Sequence, residues 1–252
     1  MTNCSSDENN SNGINNTNTF AISLTPSLTN VVIDQPFTVT VNANESIDQM
    51  WVSYDDFATG GYALQNFGNS FTYNFNFDTL GQKTISVRAK NQNNVLSEKQ
   101  IVINVTRGNA IKINGLQVVS FNGIDTTYDN EFPISNPNHL ADLRFGFAKN
   151  KLGNSLNNNY SFVSWYLSSI IENQGTMTWD FSNSNLYIHP SASLRFGLAD
   201  IDNGIAGADL LNGPPDYREI SFSNYLVTKP TTITYSFPEI NLEFKVFVEW
   251  AN

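Results

Sequence analysis

Leu194-Arg195-Phe196-Gly197-Leu198-Ala199-Asp200-Ile201-Asp202 places apolar side chains at every second position, on Leu194, Phe196 and Leu198. A period of two is that of a strand with one buried face. The stretch then runs into Asn203, Gly204 and Gly207 and meets a further carboxylate at Asp209. Carboxylates two residues apart at a strand end project to the same side, and Asp209 on the returning limb can converge on Asp200 and Asp202. Carboxylates gathered in this way repel one another unless a cation sits between them. A hard cation held by oxygen, calcium foremost, resolves the repulsion. The plainer reading is a turn in which Asp and Asn side chains satisfy the local backbone.

The same alternation runs outward in both directions. Upstream, Phe37, Val39 and Val41 alternate with polar residues, as do Phe71, Tyr73, Phe75 and Phe77, then Ile85, Val87 and Ala89, then Ile101, Ile103 and Val105. Turn chemistry separates these runs at Asp34-Gln35-Pro36, Gly60-Gly61, Leu80-Gly81 and Asn91-Gln92-Asn93-Asn94. About seven short strands are expected over residues 20–106. Thr106-Arg107-Gly108-Asn109-Ala110 reads as a short hinge, and from Ile111 onward about eight more strands follow, the last ending at Trp250. Only Ser164 to Ile171 and Ala206 to Leu211 leave room for a few helical turns. The expected fold is all-β: a disordered tether over 1–19, then two consecutive antiparallel β-sandwiches over 20–107 and 108–252.

The chain has 252 residues, with 40% hydrophobic and 13% aromatic content, enough to build cores. Only 14% of residues are charged, and a net charge of −10 excludes nucleic acid and unaided attraction to anionic lipid. The one cysteine, Cys4, cannot close an intramolecular disulfide. His139 and His189 are the only histidines, too few with Cys4 for a zinc set, and His139 is expected to face solvent. No nucleophile elbow or phosphate-cradling glycine loop is present, so a non-enzymatic protein is expected. Trp165, Trp179 and Trp250 fall within strand patterns and read as core.

Three resemblances add to this reading. Asn3-Cys4-Ser5-Ser6-Asp7-Glu8, followed by an Asn- and Ser-rich run, resembles the start of a mature bacterial surface lipoprotein, although Asn3 replaces the usual small residue. That likeness implies lipidation at Cys4, export and a membrane anchor on the exposed face of the outer membrane. Gly81-Gln82-Lys83-Thr84-Ile85-Ser86-Val87-Arg88-Ala89 is similar to the closing strands of polycystic-kidney-disease-type and other immunoglobulin-like modules, whose aromatic-Asp motif is missing here. Finally, Asn136 to Phe147, Met177-Thr178-Trp179-Asp180-Phe181 and Leu194 to Asp209 together resemble the C-two domain, a calcium-dependent phospholipid-binding β-sandwich. This resemblance implies calcium held by Asp142, Asp200, Asp202 and Asp209, with Asn136 as a weaker ligand where the family has Asp. Ile205 and Leu210-Leu211 are the apolar candidates for a membrane-inserting tip, unless they fold inward. The function so implied is that of a monomeric surface protein contacting a protein, glycan or membrane ligand. Its alternative is a metal-free structural component of a surface complex, such as a polysaccharide-uptake system.

Overall fold

The computed structural model describes residues 19–58, 62–154 and 159–251. The lipidation position Cys4 lies outside these residues. In the first half, β1 (Ile22–Pro26), β2 (Asn30–Val32), β3 (Phe37–Ser53), β4 (Tyr62–Phe75), β5 (Gly81–Asn91) and β6 (Leu96–Thr106) form one hydrogen-bonded set. Fewer and longer strands than the pattern predicts are present. β3 and β4 pair from Phe37 opposite Phe75 to Val52 opposite Tyr62, with register shifts around Ile47. Such irregularities bend a strand and increase its twist. The first part of β3 pairs with β1 and its last part with β5, so one bent strand serves two layers. Those layers close over Ile33, Val39, Val41, Ile47, Met50, Tyr73, Phe75, Ile85 and Val87.

The second half contributes β7 (Ile111–Ser120), β8 (Leu143–Asn154), β9 (Asn159–Leu167), β10 (Thr178–Asp180), β11 (Tyr187–Ile188), β12 (Ser193–Asp202), β13 (Ile205–Asp209), β14 (Arg218–Ser221), β15 (Thr232–Phe237) and β16 (Leu242–Glu249). One sheet runs β10-β7-β16-β15, with β11 beside β10 on the same strand; the other runs β13-β12-β8-β9, with β14 beside β13 on β12. All their pairings are antiparallel. Leu194, Phe196 and Leu198 do face inward, and Phe196 stacks on Phe244 of the opposite sheet at 4.1 Å between ring centroids. Phe145 meets Trp179 edge to face at 5.0 Å. Such pairs contribute beyond the apolar area they bury. Neither segment with room for helical turns is helical: β9 extends to Leu167 and β13 occupies Ile205–Asp209. Asn203 and Gly204, at φ 53° and 80°, form the two-residue turn that brings Ile205 back opposite Asp202.

The two halves are joined by more than a hinge. On β8 the inward positions continue past Phe145 and Phe147 to Lys149, which is completely buried. Its Nζ lies 2.7 Å from Asp34 Oδ1 of the first sandwich and donates to the Tyr187 carbonyl at 2.8 Å. Asp34 Oδ2 in turn accepts from the His189 amide at 3.0 Å. The Trp165 ring covers the ammonium at 4.3 Å. Burial pushes the Asp34 carboxyl up and the Lys149 ammonium down, and their mutual attraction opposes both shifts. Around this pair, Lys151 meets Asp78, and Arg107 pairs with Glu249 at 2.6 Å. Gly108, at φ 51°, lets the junction run over Val32, whose Cγ2 would lie 2.5 Å from an added Cβ.

Removing one member of a buried pair leaves an uncompensated charge. Lys149→Ala is expected to destabilise the full chain by about 3–5 kcal/mol, read from urea unfolding. The Asp34→Asn/Lys149→Met double variant is expected to recover most of that loss.

Candidate functional site

The acidic end of the second sandwich assembles differently from the expected ligand set. A register shift between Ala199 and Ile201 interrupts the alternation of β12. Asp200 and Ile201 are therefore both buried, while Asp202 is exposed. Asp200 Oδ1 accepts from the Asp142 amide at 2.8 Å, and Asp142 Oδ1 accepts from the Asn173 amide at 2.7 Å. Asp209 spends both oxygens on its own turn, accepting from Leu211 and Gly213 amides at 3.0 and 2.8 Å. Asn136 caps the short 3₁₀ helix Pro137–His139 through the Asn138 amide. His139 is buried rather than solvent-facing, its Nδ1 2.5 Å from the Asn136 carbonyl. Among the described residues no group of three His, Cys, Asp or Glu side chains is arranged to hold a metal ion. Of the five expected ligands, Asn136, Asp142, Asp200 and Asp209 each give at least one oxygen to a backbone amide.

A residue absent from the expected set, Asp129, joins this end of the sandwich. Burial raises the Asp200 carboxyl above its ordinary range, the Asp142 amide opposes the shift, and Asp202, Asp129 and Asp142 add to it. Asp129 is also raised, first by desolvation and then by Glu131, Asp202 and Asp142. Leu210 and Leu211 fold inward, whereas Ile205 is 73% exposed.

A concavity lies on the outer face of β8 and β12. A cavity of about 320 Å³ is lined by Arg144, Gly146, Leu167, Gly197, Asp209 and Asp216 among others. A second, of about 310 Å³, shares Gly146, Gly197 and Asp216 and extends to Phe162, Ser164, Arg195 and Tyr217. The two form one groove. Gly146 and Gly197 stand directly opposite each other in the β8–β12 register. Arg144 is steadied by its Nε bond to the Ser168 carbonyl at 3.0 Å. The Arg195 guanidinium lies between the rings of Phe162 and Tyr217, at 3.8 and 4.0 Å. Sequence reasoning passed over this groove, although it had a signal. Leu143-Arg144-Phe145-Gly146-Phe147-Ala148 and Leu194-Arg195-Phe196-Gly197-Leu198-Ala199 are near-identical strands, each with a glycine at its centre.

No family model and no curated protein matches the chain. Among solved structures, the PKD domain of an M14-like peptidase from Thermoplasmatales archaeon SCGC AB-540-F20 is 16% identical over 34% of this chain and 92% of that one, at a TM-score of 0.28. Fibronectin(III)-like modules of Clostridium thermocellum CbhA are 6% identical over 73% of this chain and 87% of theirs, at 0.29. A carbohydrate-binding module of the β-sandwich superfamily is 9% identical over 93% of this chain and 98% of its own, at 0.28. Likenesses of this strength leave function to be argued from the chain's own residues. The class of protein the fold defines is an all-β chain of two consecutive sandwiches, antiparallel throughout except where β2 runs parallel to β6.

The folded-state pKa of Asp200 lies above its unfolded value, so the native state binds the extra proton. Stability from this group is therefore lost as pH rises through that window and regained on acidification. Asp200→Asn keeps an acceptor for the Asp142 amide and removes the repulsion. It is expected to raise stability at pH 7, read as a higher melting temperature than the parent's. It should also reduce the gain seen in the parent on acidification, both read from thermal melts across pH.

Proposed function

We propose that the chain is a non-catalytic binding protein that displays the outer face of its second sandwich from a lipid anchor. The observation that carries the reading is the pair of facing glycines, Gly146 and Gly197, in the middle of β8 and β12. Glycine weakens a strand interior and marks places where a ligand or another backbone comes close. The groove above this pair is walled by side chains whose orientation is already fixed. Arg144 is held by the Ser168 carbonyl, Asp209 by two amides, and Arg195 by two aromatic rings. Polar groups held in this way suit recognition with little reorganisation on binding.

The buried Asp34–Lys149 contact supports display, because it makes the first sandwich a stiff support for the second. In this reading Cys4 carries the lipid, the Asn- and Ser-rich segment after it is the tether, and the outer-membrane surface is the location.

The test is labelling in a Gram-negative host that processes lipoproteins, with a lipoprotein leader supplied ahead of the chain. Incorporation of radiolabelled palmitate is expected in the parent and lost in Cys4→Ala. A Ser164→Cys variant should react with a membrane-impermeant maleimide on intact cells. Absence of label in the parent, or reaction only after lysis, overturns display at the cell surface.

A further inference from the structure

The repeated strand Leu-Arg-Phe-Gly-[Phe/Leu]-Ala pairs with its own copy in antiparallel register, which creates a local two-fold between Gly146 and Gly197. Arg195 stands opposite Ala148, Gly197 opposite Gly146, and Ala199 opposite Arg144. The Leu and Phe positions of both copies are buried in the core, so the Arg, Gly and Ala positions make up the outer face. The result is a flat floor of Gly146, Gly197, Ala148 and Ala199, with an arginine at each of two diagonal corners.

Neither glycine is required by backbone conformation, since neither adopts a left-handed φ. Nor is either required by crowding. A Cβ on Gly146 would first meet Leu167 Cδ1 at 3.5 Å, and one on Gly197 the Asp216 carbonyl at 3.6 Å, both ordinary contacts. What a methyl would fill is the groove itself.

The walls differ between the two halves. Around Arg144 they are Leu167, Asp209 and Asp216. Around Arg195 they are Phe162, Ser164 and Tyr217. Arg195 Nε is buried without a hydrogen bond, and its nearest carboxylate oxygen, Glu219 Oε2, is 3.9 Å away, too far to accept one.

We propose that this groove binds a neutral oligosaccharide in two half-sites, one at each arginine; the proposal rests on the reading of the chain as a binding protein and names its ligand class. Arg144 and Arg195 are offset by Asp209, Asp216 and Glu219, so the groove offers an anion little net attraction. The chain as a whole, at −10, repels one. Donors beside acceptors (guanidinium, carboxylate, hydroxyl) suit vicinal sugar hydroxyls, each of which both donates and accepts. The flat Gly/Ala floor and the Phe162, Tyr217 and Leu167 edges suit the C–H face of a pyranose ring.

The experiment is isothermal titration of the full chain with neutral hexaoses of the cello-, laminari-, malto-, manno- and xylo-series, to about 5 mM, the weak end of specific binding. At least one series is expected to titrate saturably. Gly146→Ala/Gly197→Ala is expected to weaken that series at least about tenfold, with a melting temperature unchanged or raised. Tyr217→Ala, at the rim, gives the same readout should the strands reject the added methyls. The proposal is overturned if no series binds, if both variants retain parent affinity, or if an oligouronate binds in preference to every neutral sugar. A purified chain that binds sugar but takes no lipid in cells would refute display alone. A displayed chain that binds no sugar would refute this ligand alone.

Discussion

The contact between Asp34 and Lys149 ties the two sandwiches together through a buried ion pair. Lys149 occupies an inward position of β8, where alternation calls for an apolar residue, and it is fully buried there. A buried ammonium is tolerated only with a counter-charge and further hydrogen-bond acceptors. Asp34 supplies the charge from the other sandwich, the Tyr187 carbonyl supplies an acceptor, and the His189 amide holds the second Asp34 oxygen. Asp34 itself sits at φ 64°, with its amide bonded to the Phe77 carbonyl. The two sandwiches cannot part without exposing both charges, and β8, which carries Lys149, also forms half of the groove floor.

Much of the fold was legible because its signal is local. Phe37, Val39 and Val41, and Leu194, Phe196 and Leu198, announce strands by period alone, and each of these residues is buried. Strand count was not legible in the same way. β3 and β4 are long strands whose register shifts around Ile47 depend on pairing between residues far apart in sequence, which hydrophobic period does not report. At the other boundary, Ser223–Tyr225 turns the chain after Ser221, where the apolar pattern continues to Leu226. Hydrophobic period reports which side chains are buried, not whether the backbone stays extended.

The site was less legible, and for an instructive reason. Asp residues near Gly and Asn draw attention because repulsion demands an explanation. Here backbone amides take up part of the charge: Asp142 and Asp209 accept from amides they reach at turns, and Asp200 bonds the amide that opens β8. The expectation that Asp200 and Asp202 share a side fails at one irregular step of β12. Asp129, well upstream in the loop after β7, enters through space and has no sequence signature. Resemblance to a calcium-binding loop and an ordinary Asn-Gly hairpin are thus hard to tell apart from residue types alone.

The groove shows the converse. Its residues looked structural because Arg and Gly at alternate positions are the expected outward face of a half-buried strand. What distinguishes them is redundancy. The same six-residue pattern occurs twice, and the register sets glycine against glycine. A sheet selected for stability alone has no reason to place two side-chain-free residues opposite each other where Cβ atoms fit without conflict. The weakened pairing must be offset by packing on the inner face, and it is. Phe145 and Phe147, beside Gly146, and Phe196, beside Gly197, pack into a connected set of aromatic contacts that includes the Phe196–Phe244 stack at 4.1 Å. Sheet stability is secured on one side of the strand, which leaves the other side free to be shaped for a ligand.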